Sequence, residues 1–138
     1  MRAGPPRHDL AAAPHMPIDG GKDADDAALA ELFDYAGMRA EEAVHAWREE
    51  RRRLNLGLDA YGGACVIMTV DDRRLLNALK RIGAVEKGTY SGTWDVKRTW
   101  AHHGQECGVD CTMAEVVCDI LNASLGDRAR AHVHSWWS

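Results

Sequence analysis

The sequence lacks the features that define several large functional classes. No apolar run approaches the roughly 18 residues that cross a bilayer, and the opening residues MRAGPPRHDL have no apolar stretch typical of secretory signals. It also contains no phosphate loop, glycine-rich dinucleotide fingerprint, Gly-x-Ser-x-Gly elbow or His-Glu-x-x-His sequence. We therefore expect a small soluble protein without membrane contact, and we predict that it is not an enzyme.

Lysine is scarce, with 4 residues against 13 arginines, and the 138-residue chain carries a formal charge of −4. This total excludes a broadly basic, histone-like coat for nucleic acid. The excess of arginine and alanine is typical of GC-rich genomes and indicates a bacterial or phage origin. We expect the protein in the bacterial cytoplasm, or in that of the host cell if a phage or mobile element encodes it.

Composition divides the chain near residue 25. Residues 1–25 hold all four prolines and no hydrophobic periodicity, which predicts a disordered N-terminal arm before a single domain over residues 26–138. Apolar residues from Leu29 to Trp47 follow helical spacing, with Asp25 or Asp26 suited to the N-cap. Because Gly37 falls inside this stretch, we expect one long helix or two helices that meet there.

The rest of the domain mixes strands with helices. The apolar run 64–70 predicts a buried strand, residues 71–83 a short helix, and residues 84–101 a hairpin around Ser91-Gly92. Thr112 and Glu115 form a capping box, which predicts a C-terminal helix that Gly126 ends. These elements predict an α+β fold with a small, mainly antiparallel sheet. The final residues, 128–138, give no clear assignment.

A cluster of cysteine and histidine is the first candidate site. His103, Cys107 and Cys111 recur every four residues, and Cys118 follows two turns later on the predicted helix. Zinc prefers four such ligands, and a Cys-x3-Cys pair lies within its usual spacing. These four residues are therefore candidate ligands for a structural zinc ion. The alternative, which we favour, is no cofactor, with the thiols serving as packing or loop residues.

The same cluster also contains the groups of a thiol enzyme. Cys107 or Cys111 would be the nucleophile, and His102 or His103 the base. Such a thiol needs a lowered pKa, and Cys111 would lie just before the predicted helix, whose N-terminus favours a thiolate. Three neighbouring carboxylates oppose that effect. A thiol enzyme or metalloenzyme is therefore the third hypothesis.

A basic face is the second candidate site. Residues 71–101 contain seven cations and four anions, although the whole chain is acidic. A helix followed by a basic hairpin is the outline of a winged helix, which contacts nucleic acid. The alternative is an ordinary solvated surface. The predicted face, which would bind nucleic acid or an acidic partner, consists of Arg73, Asn77, Lys80, Arg81, Lys87, Lys97 and Arg98.

Tryptophan supplies the third candidate, since the chain has five tryptophans and one phenylalanine. Trp136 and Trp137 lie at the C-terminus, where a tail can bury both only by docking on something, and exposed tryptophan is a common interface anchor. The alternative is a tail that folds back on its own sheet. The leading hypothesis is a non-enzymatic binding protein that docks on a protein partner. The second is a nucleic-acid-binding module that uses the basic face, with or without zinc. The sequence does not predict an oligomeric state.

Overall fold

The computed structural model describes residues 21–57, 62–88, 90–98 and 107–137, with Trp137 described by its backbone alone. Of the predicted arm over residues 1–25, residues 1–20 lie outside these ranges, whereas residues 22–25 belong to the first helix. None of the described helices is both long and apolar enough to cross a membrane. The elements in chain order are α1 (Lys22–Arg53), β1 (Gly62–Val70), α2 (Arg73–Arg81), β2 (Val85–Lys87), β3 (Trp94–Val96), α3 (Cys107–Leu125), a 3-10 turn (Gly126–Arg128) and β4 (Ala129–Trp137).

The four strands form one antiparallel sheet in the order β2-β3-β1-β4. β1 pairs with β4 along all of its length, from Gly62 opposite Trp137 to Val70 opposite Ala129. β2 and β3 form a hairpin, and β3 joins β1 only around Ile67. The predicted α+β fold, with its long N-terminal helix, small antiparallel sheet, hairpin and C-terminal helix, is confirmed.

The core lies between the helices and one face of the sheet. Alternate residues of β1, namely Ala64, Val66 and Met68, point into it, as the period of two in a half-buried strand requires. α1 and α3 pack against each other and supply most of the large, fully buried side chains, Phe33 among them. Because α3 also contacts β1 and β4, it fixes the position of the C-terminal strand.

α1 is one continuous helix of 32 residues, and Gly37 lies buried inside it without a break. The predicted N-cap at Asp25 or Asp26 is wrong, because the helix begins at Lys22 and Gly21 occupies the cap. Both aspartates instead contact α2, where Asp26 binds Arg81 through two hydrogen-bonded oxygens. These tertiary contacts support an extra helical turn that local capping preference does not indicate.

α3 also begins earlier than its sequence signal predicts. The helix starts at Cys107, so the capping box at Thr112 is wrong, and Thr112 is a buried residue within the helix. Cys107 and Val109 in the extra turn are buried as well. Their burial outweighs the capping preference, and it places Cys111 inside the helix rather than before it.

Candidate functional site

The structure brings together two of the four predicted zinc ligands. Cys107 and Cys111 lie one turn apart on α3, with their Sγ atoms 3.4 Å from each other. Cys118 is buried in the core further along the helix, and His103 lies outside the described residues. Within the described ranges, no three Cys, His, Asp or Glu side chains are arranged to hold a metal ion. Zinc at this cluster stays a prediction.

The surroundings of Cys111 do not favour its thiolate form. Burial, followed by the hydrogen bond with Cys107, raises the pKa of the Cys111 thiol to about 12, and the charges of Glu115 and Asp110 act in the same direction. Cys118 also has a pKa of about 12, chiefly because of burial. The predicted activation of Cys111 by a helix N-terminus is absent, since the residue lies inside α3. His102 and His103 lie outside the described residues.

Three of the six cations in the predicted basic face form ion pairs within the chain. Arg81 donates from Nη2 to Asp26 at 2.7 Å, and Lys97 and Arg98 each form an ion pair with a carboxylate. Such pairs reduce the positive potential that phosphate would meet. Only Arg73, Asn77 and Lys87 of this face have no charged or aromatic partner among the described residues. The paired cations are Arg81 with Asp26, Lys97 with Glu86, Arg98 with Asp34, and Lys80 with the ring of Trp94.

A shallow groove at the C-terminal end of α1 carries three further arginines. Arg51 lies 4.9 Å above the ring of Trp47 and donates to the carbonyl oxygen of Gly57 at 2.6 Å. Arg52 forms an ion pair with Glu49. These contacts hold the chain where the helix ends, and basic residues suit that position because of the helix dipole. The arginines of this groove therefore have a structural role at the end of α1.

β4 is an edge strand, because the sheet ends with it on the side away from β1. In an antiparallel pair, successive residues alternate between bonding the neighbouring strand and pointing their N–H and C=O groups away from it. The hydrogen bonds of Ala131 show which residues of β4 point their backbone groups away from β1. Its N–H donates to Oδ1 of Asn122 at 2.8 Å, and Nδ2 of Asn122 donates to its carbonyl oxygen at 2.9 Å.

Asn122 therefore bonds β4 as a neighbouring strand would, but only at one residue. By the same alternation, Val133 and Ser135 also point their backbone groups outward, and no described residue bonds them there. We call Ala129–Ala131 the closed half of the edge and Val133–Trp137 the open half. Unpaired backbone groups on an edge strand are a ready template for another strand.

The side chains of the open half add apolar surface to this edge. Val133 is 36% exposed and Trp136 is 43% exposed. Native edges are commonly protected by proline or by lysine and other charged residues, and the open half, VHSWW, contains neither proline nor a formally charged residue. His134 lies beside Trp136, with ring centres 6.1 Å apart. Among the described residues, none bonds the outer side of this half, and the half itself has no charged side chain or proline that would protect it.

Trp136 also rests on its own sheet, across Gly63 of β1. A Cβ atom at Gly63 would lie 2.5 Å from Cζ2 of Trp136 and 3.2 Å from a carboxylate oxygen of Asp110. Only glycine leaves room for the indole at this position. The predicted anchor Trp136 is thus held in place and still partly exposed, whereas the side chain of Trp137 lies outside the described residues.

Sequence reasoning missed the strand and the residue that closes half of it. The signal for β4 is present in RAHVH, where small or apolar residues alternate with polar ones over residues 130–134. Asn122 gives no such signal, because its role depends on α3 lying beside the sheet edge. Comparison with protein-family models, curated proteins and solved structures found no match. We therefore infer function from the geometry of this edge.

Proposed function

We propose that this protein is a non-enzymatic binding module that docks on a protein partner through the open half of β4. An extended segment of the partner would add to the sheet as a further strand. The observation that carries this proposal is that Val133 and Ser135 point their backbone groups outward, where no described residue bonds them, next to the exposed side chain of Trp136. Strand addition is a common mode of peptide recognition in which backbone bonds supply affinity.

Both parts of the open half contribute to such docking. Each outward-pointing residue offers one donor and one acceptor, and a net gain of about 1 kcal/mol per hydrogen bond is typical. Apolar surface removed from water adds about 25 cal/mol per Å². A tryptophan that is already held in one orientation, as Trp136 is by Gly63, loses little side-chain entropy on binding.

The other two hypotheses receive less support from the described residues. Nucleic-acid binding through the predicted face would require cations free to meet phosphate, and three of its six cations have acidic partners within the chain. Thiol catalysis would require a thiolate, and the pKa of Cys111 is about 12. Docking through β4 needs no rearrangement of either region.

Site-specific photocrosslinking tests the proposal. A benzoylphenylalanine at Val133 should crosslink to protein in cells of the native host, whereas the same group at Met38, which is 52% exposed on α1, should not. Ser135→Pro removes an outward-pointing N–H and leaves the bonds to β1 in place, so it should abolish the product. Ser135→Ala should preserve it. Equal crosslinking at both positions, or a product that survives Ser135→Pro, would overturn the proposal.

A further inference from the structure

Asn122 restricts how a partner strand can align with β4. The backbone groups of Ala131 are already bonded, so a partner meets only the outward-pointing residues Val133, Ser135 and Trp137. A partner strand shifted toward Ala131 would compete with the Asn122 side chain. A strand shifted the other way would pair with fewer residues, so the favoured alignment is centred on Ser135.

This alignment is self-complementary. If a second copy pairs antiparallel with Ser135 on the two-fold axis, Ser135 bonds Ser135 of the second copy, and Val133 bonds the backbone of its Trp137. All outward-pointing residues of both open halves are then used. A two-fold axis that relates identical surfaces is the commonest arrangement in protein dimers.

The side chains permit the same pairing. With Ser135 on the axis, His134 lies opposite Trp136 of the second copy, and each Trp136 lies opposite a His134 in turn. Directly opposed aromatic rings on one face of a sheet stabilise strand pairing, and like charges oppose it. The open half has no formally charged side chain, and Arg130 lies beyond the paired segment. Two copies of this edge can therefore meet without charge repulsion.

We propose that the partner is a second copy of this chain, bound through the open half of β4 with Ser135 on a two-fold axis. The two four-stranded sheets would join into one sheet of eight strands. This inference rests on the proposed function, because it names the occupant of the docking edge. It also assigns the open half, rather than the basic face or the thiol pair, as the contact between copies.

Sedimentation velocity over a concentration series tests the dimer. The wild-type protein should sediment as a dimer that dissociates on dilution, and Ser135→Ala should behave in the same way. Ser135→Pro removes two symmetry-related hydrogen bonds, so the dissociation constant should rise about tenfold or more. Circular dichroism of Ser135→Pro should match the wild type, which would show that the fold is retained.

A crosslink at the axis tests the alignment. Opposed, hydrogen-bonded residues in antiparallel strands have Cα atoms about 5.5 Å apart, within the range that a disulfide spans. Ser135→Cys should therefore form a covalent dimer when diamide oxidises the two thiols, and Met38→Cys on α1 should not. A cysteine at His132, outside the paired segment, should crosslink far less than one at Ser135.

The outcomes separate this inference from the proposed function. A protein that is monomeric at every concentration overturns the inference, and if Val133 still crosslinks to another protein, docking at the open half survives. A dimer that Ser135→Pro leaves intact, or that Ser135→Cys does not link, must use another surface and also overturns the inference. A monomer that crosslinks to nothing at Val133 overturns both.

Discussion

The two halves of β4 share one strand and one neighbour but differ in what lies beyond them. In the closed half, the backbone of Ala131 is bonded by Asn122 and its side chain is buried. In the open half, no residue of the described ranges bonds the outward-pointing groups of Val133 and Ser135, and Trp136 remains exposed. The comparison teaches that the backbone groups of an edge strand can be occupied one residue at a time. One side-chain amide is sufficient for the residue that it bonds.

Proline substitutions should have the largest effect on stability. They also test which residues of β4 bond β1 and which point outward. His134 points its N–H toward β1, so His134→Pro should cost roughly 3 kcal/mol of unfolding free energy through a lost ladder bond and strain. Ser135→Pro should cost less than about 1 kcal/mol. Urea denaturation of both variants provides the measurement. Equal losses would show that the outward-pointing residues have been wrongly assigned.

Gly63→Ala should have the next largest effect, because its methyl group would collide with the indole of Trp136. Overpacking of this kind costs about 1–3 kcal/mol. The variant should also shift tryptophan fluorescence and weaken docking through the open half. Gly57→Ala, which has no atom near its new methyl group, is the matched control and should change neither quantity.

Asn122→Ala should remove both hydrogen bonds to the backbone of Ala131, so that the closed half becomes like the open half. Two hydrogen bonds are lost, and the expected decrease in stability is about 1–2 kcal/mol. Hydrogen exchange at the Ala131 amide should rise toward the rate at Ser135. The variant should also self-associate more strongly, since the unpaired edge becomes longer. If exchange at Ala131 does not change, Asn122 does not protect this edge.

The smallest effect concerns the thiols at the base of the open half, where Cys107 Sγ lies 4.0 Å from the carbonyl oxygen of Trp136. Because the folded-state pKa of Cys111 is raised from 9.0 to about 12, its contribution to stability is present below pH 9 and lost as pH rises toward 12. Cys111→Ala should therefore reduce the loss of stability above pH 9. At pH 8, the thiolate fraction of Cys111 should be about a thousandfold lower than in the unfolded chain, so iodoacetamide should modify this thiol far more slowly.

The elements that the sequence predicted are those with strong local patterns. A continuous apolar run of strand length predicts β1, and a leucine stripe at helical spacing predicts α2. The starts of α1 and α3 were placed wrongly because burial and ion pairs, such as Asp26 with Arg81, extend both helices beyond their capping signals. Such contacts join residues 55 positions apart, and no local pattern encodes them.

The candidate site was predicted only in part, through the exposed tryptophan at Trp136. The strand that carries it depends on pairing with β1, and the boundary between its halves depends on one side chain of α3. The basic face, in contrast, has fewer unpaired cations in the fold than its sequence indicates, because three of them form ion pairs with acidic residues of α1 and β2. Charge patterns along a chain do not include these partners.

Asn122 has a further consequence for the kind of contact that β4 can form. Because it occupies the edge at Ala131, an added strand can run for about five residues, or some 17 Å, before it meets the asparagine side chain. Short strand contacts of this type release their partners quickly, since few bonds must break together. A single amide thus acts as a length limit, favouring rapid exchange of partners over permanent assembly and preventing the whole edge from serving as a template for fibril growth.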